Sequence, residues 1–244
     1  MGFSEDGFVI KKARISADKI NKYIDWHLAN HQSFFDASLL EHAHGYSDQV
    51  WKQADEILEI LLCDEICQDI LELIDSPPAI HASFISWNQD GVSWHYDMAP
   101  ELRNGEKLTF RCVGAWVALE DIKIDSGLFS YIPGSHNLDV QSEPEIKEFI
   151  NSESDGINYD TKLFEFLKTY IDKKVKSKEL VPLMFDAKKG DVLYWDGRLF
   201  HMAHPQVGGV ERRAVIGHYT NVTEGREEYG GGFKAGYLSF SNKR

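Results

Sequence analysis

The sequence predicts a mainly β fold with flanking helices, an antiparallel jelly roll with helical segments packed outside it. Three observations carry that expectation. From Ala79 onward the chain reads as short β-type runs, "AIHASFISW", "FRCVGAWVALE", "GLFSYIPG", "LVPLMFDA", "GDVLYWDG" and "RRAVIGHYTN", separated by Gly, Pro, Asn and Asp turn residues. Apart from one insertion, no helical pattern intervenes between those runs, which favours antiparallel pairing over a parallel α/β sheet. The residues before Ala79 instead place apolar side chains every three to four positions, the period of a helix.

Taken in order, "SADKINKYIDWHLANH" opens with a cap at Ser16. The segment "VWKQADEILEILLCDEICQDILELID" then sets Ile57, Leu61, Ile66, Ile70 and Leu73 on one helical face, and Pro77 with Pro78 ends it. The expected organisation is a single domain over 1–244. It has a helical N-terminal part at 1–78, a jelly-roll core at 79–222, a helical insertion at 143–178 inside that core, and a C-terminal tail at 223–244. Long excursions of this kind at the mouth of a barrel often cover a binding site. The basic cluster Asp172–Glu179 is expected to complement the C-terminal dipole of the insertion's helix.

The 244 residues, 43% hydrophobic and 27% charged, have an ordinary globular composition. A formal net charge of −13 argues against nucleic acid or an anionic membrane surface as a partner, since both call for a basic face. There is no apolar run of the ~18 residues a membrane span needs, and "MGFSEDGF" lacks the pattern of a leader, with Asp6 where myristoylation wants Ser or Thr. Cys63, Cys67 and Cys112 are too few and too odd in number for a disulfide framework and fit a reducing compartment. A cytoplasmic monomer or homodimer acting on a small molecule is therefore expected.

The chemistry starts at "VSWHYDMAP". Along an extended strand residues i and i+2 share a face, so His95 and Asp97 present an imidazole and a carboxylate to one point. Two groups do not make a metal site. The second half of the chain supplies His201 and, eleven positions on, Arg212. Two histidines and one carboxylate form the facial triad that holds ferrous iron with three positions open, and an arginine in the same barrel suits a bidentate grip on an acid. Other histidines read as decoys. His27 and His31 lack the intervening Glu of a zinc protease, and His42 with His44 lacks a third partner. His136 and His218 read as structural or pocket-lining.

Taken together, "WHYD", the stretch Gly114–His136, and "GDVLYWDGRLFH" followed by "RRAV" resemble the phytanoyl-CoA dioxygenase family, which also contains ectoine hydroxylase. The resemblance runs from about Ile80 to Thr220 and implies a double-stranded β-helix, the cupin-like form of the jelly roll. It also implies an Fe(II)- and 2-oxoglutarate-dependent oxygenase that uses dioxygen and releases succinate. By the same likeness His95, Asp97 and His201 hold the metal, His201 being preferred to His204 by its spacing from the Gly-Asp turn. Arg212 holds 2-oxoglutarate, and Trp116 and Ser86 line its pocket. Trp94, Tyr96, Phe129 and Tyr131 are candidate substrate-pocket residues.

Two departures from the family pattern stand out, Ala203 where a small hydroxyl residue is common and Tyr96 where Gln is common. With Asp97 present, hydroxylation, desaturation or ring closure is expected rather than halogenation. The other readings are a non-catalytic jelly-roll binding protein and a non-redox metal enzyme built on the same triad. The expected substrate is a small polar metabolite, an amino-acid derivative or a natural-product intermediate.

Overall fold

The computed structural model describes residues 2–34, 55–76, 78–86, 91–98, 111–153, 159–208, 210, 212–221 and 238–239. Its strands are β1 (Phe8–Lys11), β2 (Pro78–Ser86), β3 (Val92–His95), β4 (Val113–Ala118), β5 (Phe129–Tyr131), β6 (Leu183–Phe185), β7 (Val192–Asp196), β8 (His201–Ala203), β9 (Ala214–Asn221) and β10 (Leu238–Ser239). They form a large sheet in the order β1-β7-β4-β9-β2-β10 and a small one in the order β3-β8-β5-β6. Every ladder is antiparallel, as the sequence predicts for a jelly roll.

The apolar runs of β4 and β7 are continuous because both faces of the large sheet are covered. Val113, Ala115, Val117, Val192 and Tyr194 point outward into a core shared with helices α2 (Ala17–Phe34), α3 (Asp55–Leu61) and α4 (Asp64–Ile74). Their neighbours Trp116, Ala118, Leu193 and Trp195 point inward to meet Phe129, Tyr131 and Phe185 of the small sheet. A period of two thus divides each strand between two cores. A third core lies on the outer side of the small sheet, beneath α5 (Pro144–Glu153) and α6 (Tyr159–Lys176), where Ile146, Leu163, Leu167 and Ile171 meet Trp94 and Tyr96.

Three features differ from the sequence expectation. The N-terminal part carries a strand, β1, which pairs with β7 from Phe8↔Trp195 to Lys11↔Val192. Gly7, at φ 77°, turns the chain out of the short helix α1 (Phe3–Asp6) into that strand. Four residues are too few for alternation to register, and the partner that stabilises them lies far along the chain.

The long helix expected before Pro77 is two helices. Cys63 is extended (φ −67°, ψ 158°) and starts α4, which ends at Asp75 in the left-handed region. In the C-terminal tail, Leu238 and Ser239 extend the large sheet by pairing with Ile80 and Ala79.

The insertion holds α5 and α6, and Lys173, Lys174 and Lys176 occupy the last turn of α6. All three cysteines are buried, and none is in a disulfide. No helix among the described residues is long and apolar enough to cross a membrane. His42 and His44 lie outside the described residues.

Candidate metal centre

His95 ends β3 and His201 begins β8, and the two are direct cross-strand partners. Asp97 follows β3 by two residues, and one ligand atom from each of these three side chains lies within 4.8 Å of the others. The Nδ1–H of His95 donates to the Ser93 carbonyl at 2.7 Å, and that of His201 to the Leu199 carbonyl at 2.9 Å. A carbonyl only accepts, so both rings are fixed with the proton on Nδ1 and the lone pair on Nε2. Those Nε2 atoms lie 3.9 Å (His95) and 3.5 Å (His201) from Asp97 Oδ1. Two oriented imidazole lone pairs facing a carboxylate oxygen is the donor set a first-row divalent cation requires, so these residues fit iron.

The second oxygen of Asp97 is held from the large sheet. Oδ2 accepts the Trp195 indole N–H at 2.7 Å and the His218 Nε2–H at 3.1 Å. Neither contact is visible in the sequence, where Trp195 is one aromatic within the run "GDVLYWDG" and His218 reads as structural or pocket-lining. Burial opposes the charge on Asp97, but His218, His201 and His95 outweigh it and hold the carboxyl far below its usual range. Burial, assisted by His95 and opposed by Asp97, pushes the His201 imidazole down to about 4, which keeps it neutral as a metal ligand must be.

The triad faces a cleft between the sheets. Ser86, Trp116 and Ile216 line it from the large sheet, and Val92, Phe129 and Ala203 from the small one. Ser86, Trp116 and Phe129 therefore lie beside the triad. Trp94 and Tyr96 do not line this cleft. Both pack on the outer side of the small sheet under the insertion, and the register irregularity between Val92 and His95 is what lets Val92 line the cleft while Trp94 does not. Tyr131 is also placed elsewhere, with its ring 4.4 Å from that of Phe8. From the insertion, Phe164 reaches the edge of the His95 ring with centroids 6.2 Å apart, and its side chain is 41% exposed.

Arg212 is buried, two residues before β9. Its Nη1 donates to the carbonyls of Gly127 and, at 3.0 Å, His204, and burial pushes its pKa down to about 10. These anchors flank the β5–β8 pairing in which Phe129 faces Ala203, so Arg212 and the triad are set by the same pair of strands. His204 is hydrogen-bonded to Ser130 Oγ at 2.8 Å and takes no part in the triad. His136 contacts the Ser4 carbonyl at 3.2 Å, and His27 is buried on α2 against Tyr23.

The family model for phytanoyl-CoA dioxygenase matches residues 3–214. A phytanoyl-CoA dioxygenase domain-containing protein 1 homolog from Dictyostelium discoideum is 31% identical over 113 residues, which are 45% of this chain and 35% of that protein. Phytanoyl-CoA dioxygenase 1 from Oryza sativa subsp. japonica is 30% identical over 152 residues, 62% of this chain and 47% of the relative. The matched segments thus span a third to a half of those curated relatives. Among solved structures, EctD from S. alaskensis with 2-oxoglutarate and 5-hydroxyectoine superposes with a TM-score of 0.62 at 16% identity, over 91% of this chain and 74% of that one. That likeness agrees with the two-sheet topology, and the match over residues 3–214 supplies the lineage: the chain belongs to the phytanoyl-CoA dioxygenase family.

Proposed function

We propose that this protein is an Fe(II)- and 2-oxoglutarate-dependent dioxygenase that oxidises a C–H bond of a small molecule. The observation that carries this reading is the convergence of the His95 and His201 Nε2 lone pairs on Asp97 Oδ1, in a cleft between the sheets. His95, Asp97 and His201 hold the metal, and Arg212 takes the distal carboxylate of 2-oxoglutarate beside Trp116 and Ser86. Bound there, iron and 2-oxoglutarate supply the oxidising chemistry, with dioxygen as oxidant and succinate and carbon dioxide as coproducts.

The chain's own residues position and shield. Val92, Phe129 and Ile216 give the cleft apolar walls that exclude water around the reacting carbon. Phe164 offers the substrate an apolar surface at the side of His95. Retention of Asp97 as a carboxylate favours hydroxylation or a related oxygen-type outcome over halogenation. The absence of disulfides among the three cysteines supports a cytoplasmic setting.

The test is succinate release from 2-oxoglutarate by the full chain with Fe(II) and ascorbate, across a panel of small polar substrates. We expect release above background from the wild type and none from Asp97→Ala, with 2-oxoglutarate binding weakened at least about tenfold in Arg212→Ala, as for loss of a charge-assisted pair. Equal succinate from wild type and Asp97→Ala would overturn the assignment, and undiminished binding in Arg212→Ala would remove that residue from it.

A further inference from the structure

We infer that Trp195 and His218 are positioning residues that restrict Asp97 to a one-oxygen contact with the metal, and so keep three coordination positions open. This rests on the metal-centre reading proposed above. The two histidine ligands are strand residues whose rings are fixed by their own backbone, through the Ser93 and Leu199 carbonyls. Asp97 has no such support, since it lies in the turn that follows β3. A carboxylate there is free to turn and offer both oxygens to a cation. Two-oxygen binding would occupy a fourth position and leave two, too few for a chelating 2-oxo acid together with dioxygen.

The large sheet prevents that rotation. Oδ2 accepts from Trp195 Nε1 at 2.7 Å and from His218 Nε2 at 3.1 Å, and turning Oδ2 toward the metal would break both bonds. Both donors are almost wholly buried, so neither bond is readily replaced by water.

The donors form a designed row across three strands. Trp195 on β7 and His218 on β9 are both register partners of Gly114 on β4. A Cβ at position 114 would fall 2.1 Å from the Trp195 indole, so the glycine makes the space the indole occupies. The Trp195 and His218 rings then meet edge to face, with centroids 5.7 Å apart at 90°. His218 lies beyond residues 3–214, the part that the family model matches.

The experiment titrates the metal-free full chain with Co(II) by calorimetry and records the melting temperature of each apoprotein. Wild type, Asp97→Ala, His218→Leu, His218→Gln and Trp195→Phe are compared. Loss of an outer partner of a metal ligand typically costs 10–100-fold in affinity. We expect a weakening of about that size in His218→Leu and Trp195→Phe, and recovery of most of it in His218→Gln, whose amide N–H sits near the lost Nε2. Apoprotein melting should be equal in the Leu and Gln variants. Co(II) affinity in His218→Leu equal to wild type overturns the inference, as does equal weakening in Leu and Gln. If His218→Leu does not fold, Trp195→Phe decides alone, and wild-type affinity there overturns it. Failure of the underlying reading looks different, because wild type and Asp97→Ala would then bind Co(II) alike.

Discussion

Gly127 has a backbone at φ 82°, and a Cβ there would lie 2.2 Å from the His204 carbonyl oxygen and 3.0 Å from Arg212 Nη1. One added methyl group therefore strains the backbone and displaces both the guanidinium and one of its anchors. Gly127→Ala is expected to lower stability by about 1–3 kcal/mol and to weaken 2-oxoglutarate binding while leaving Co(II) affinity near wild type. Thermal denaturation and two titrations check this, and an equal loss of both affinities would contradict it.

At this scale the sequence exposes what is local. His95 and Asp97 are two apart, a spacing that places both toward one point even though Asp97 falls in the turn after β3, and His201 and Arg212 stand at family spacings. Trp195 and His218 escape notice because the role proposed for them depends on a register spanning three strands, and each alone reads as an aromatic or imidazole in an apolar run. The placement of Trp94 and Tyr96 away from the cleft has a cause of the same kind, since the sequence says they share a face without saying which core it meets.

Among the elements, β1 depends most visibly on a distant partner. Where it meets the turn into β7, the Asp191 carboxylate accepts the backbone N–H groups of Ala13 and Lys188, both at 2.9 Å, and the Lys12 ammonium at 2.7 Å. Burial works against the charge on Asp191, but those donors outweigh it and hold its carboxyl below the ordinary value. A carboxylate lowered in the folded state stabilises above its unfolded pKa, about 4, and loses that contribution as pH falls below it.

Asp191→Ala leaves two backbone donors without an acceptor, at a cost of about 2–3 kcal/mol near pH 7, with little added for the exposed lysine. Urea denaturation should show that gap in full at neutral pH and narrowing below about pH 4. A gap that does not change with pH would contradict the assigned role. The sequence marks the Gly-Asp turn but not what it ties. A four-residue strand has too few positions to show a period, and the break at Cys63 is hidden inside an apolar run that continues through it.

For the molecule as a whole, the proposed ligand set bridges the two sheets. His95 and His201 belong to the small sheet, and Asp97 is fastened to β7 and β9 of the large one. A cation bound there clamps one layer to the other, so binding free energy becomes stability by mass action. At a hundred times its dissociation constant Co(II) should add about 2.7 kcal/mol and raise the melting temperature by about 5–10 °C. Differential scanning calorimetry reads the shift, and Asp97→Ala should show none. The jelly-roll class is legible in the run of short strands. The order within each sheet is not, because no local signal records which strands become neighbours across the barrel.

Strand β3 places neighbours in different compartments, with His95 turned to the cleft and Trp94 to the core beneath α5 and α6. The insertion therefore answers to packing on the outward face and touches the inward one through Phe164. In evolutionary terms that makes the insertion an exchangeable part. Two other helices of similar volume would cover that outward face equally well and leave His95, Asp97 and His201 where they are.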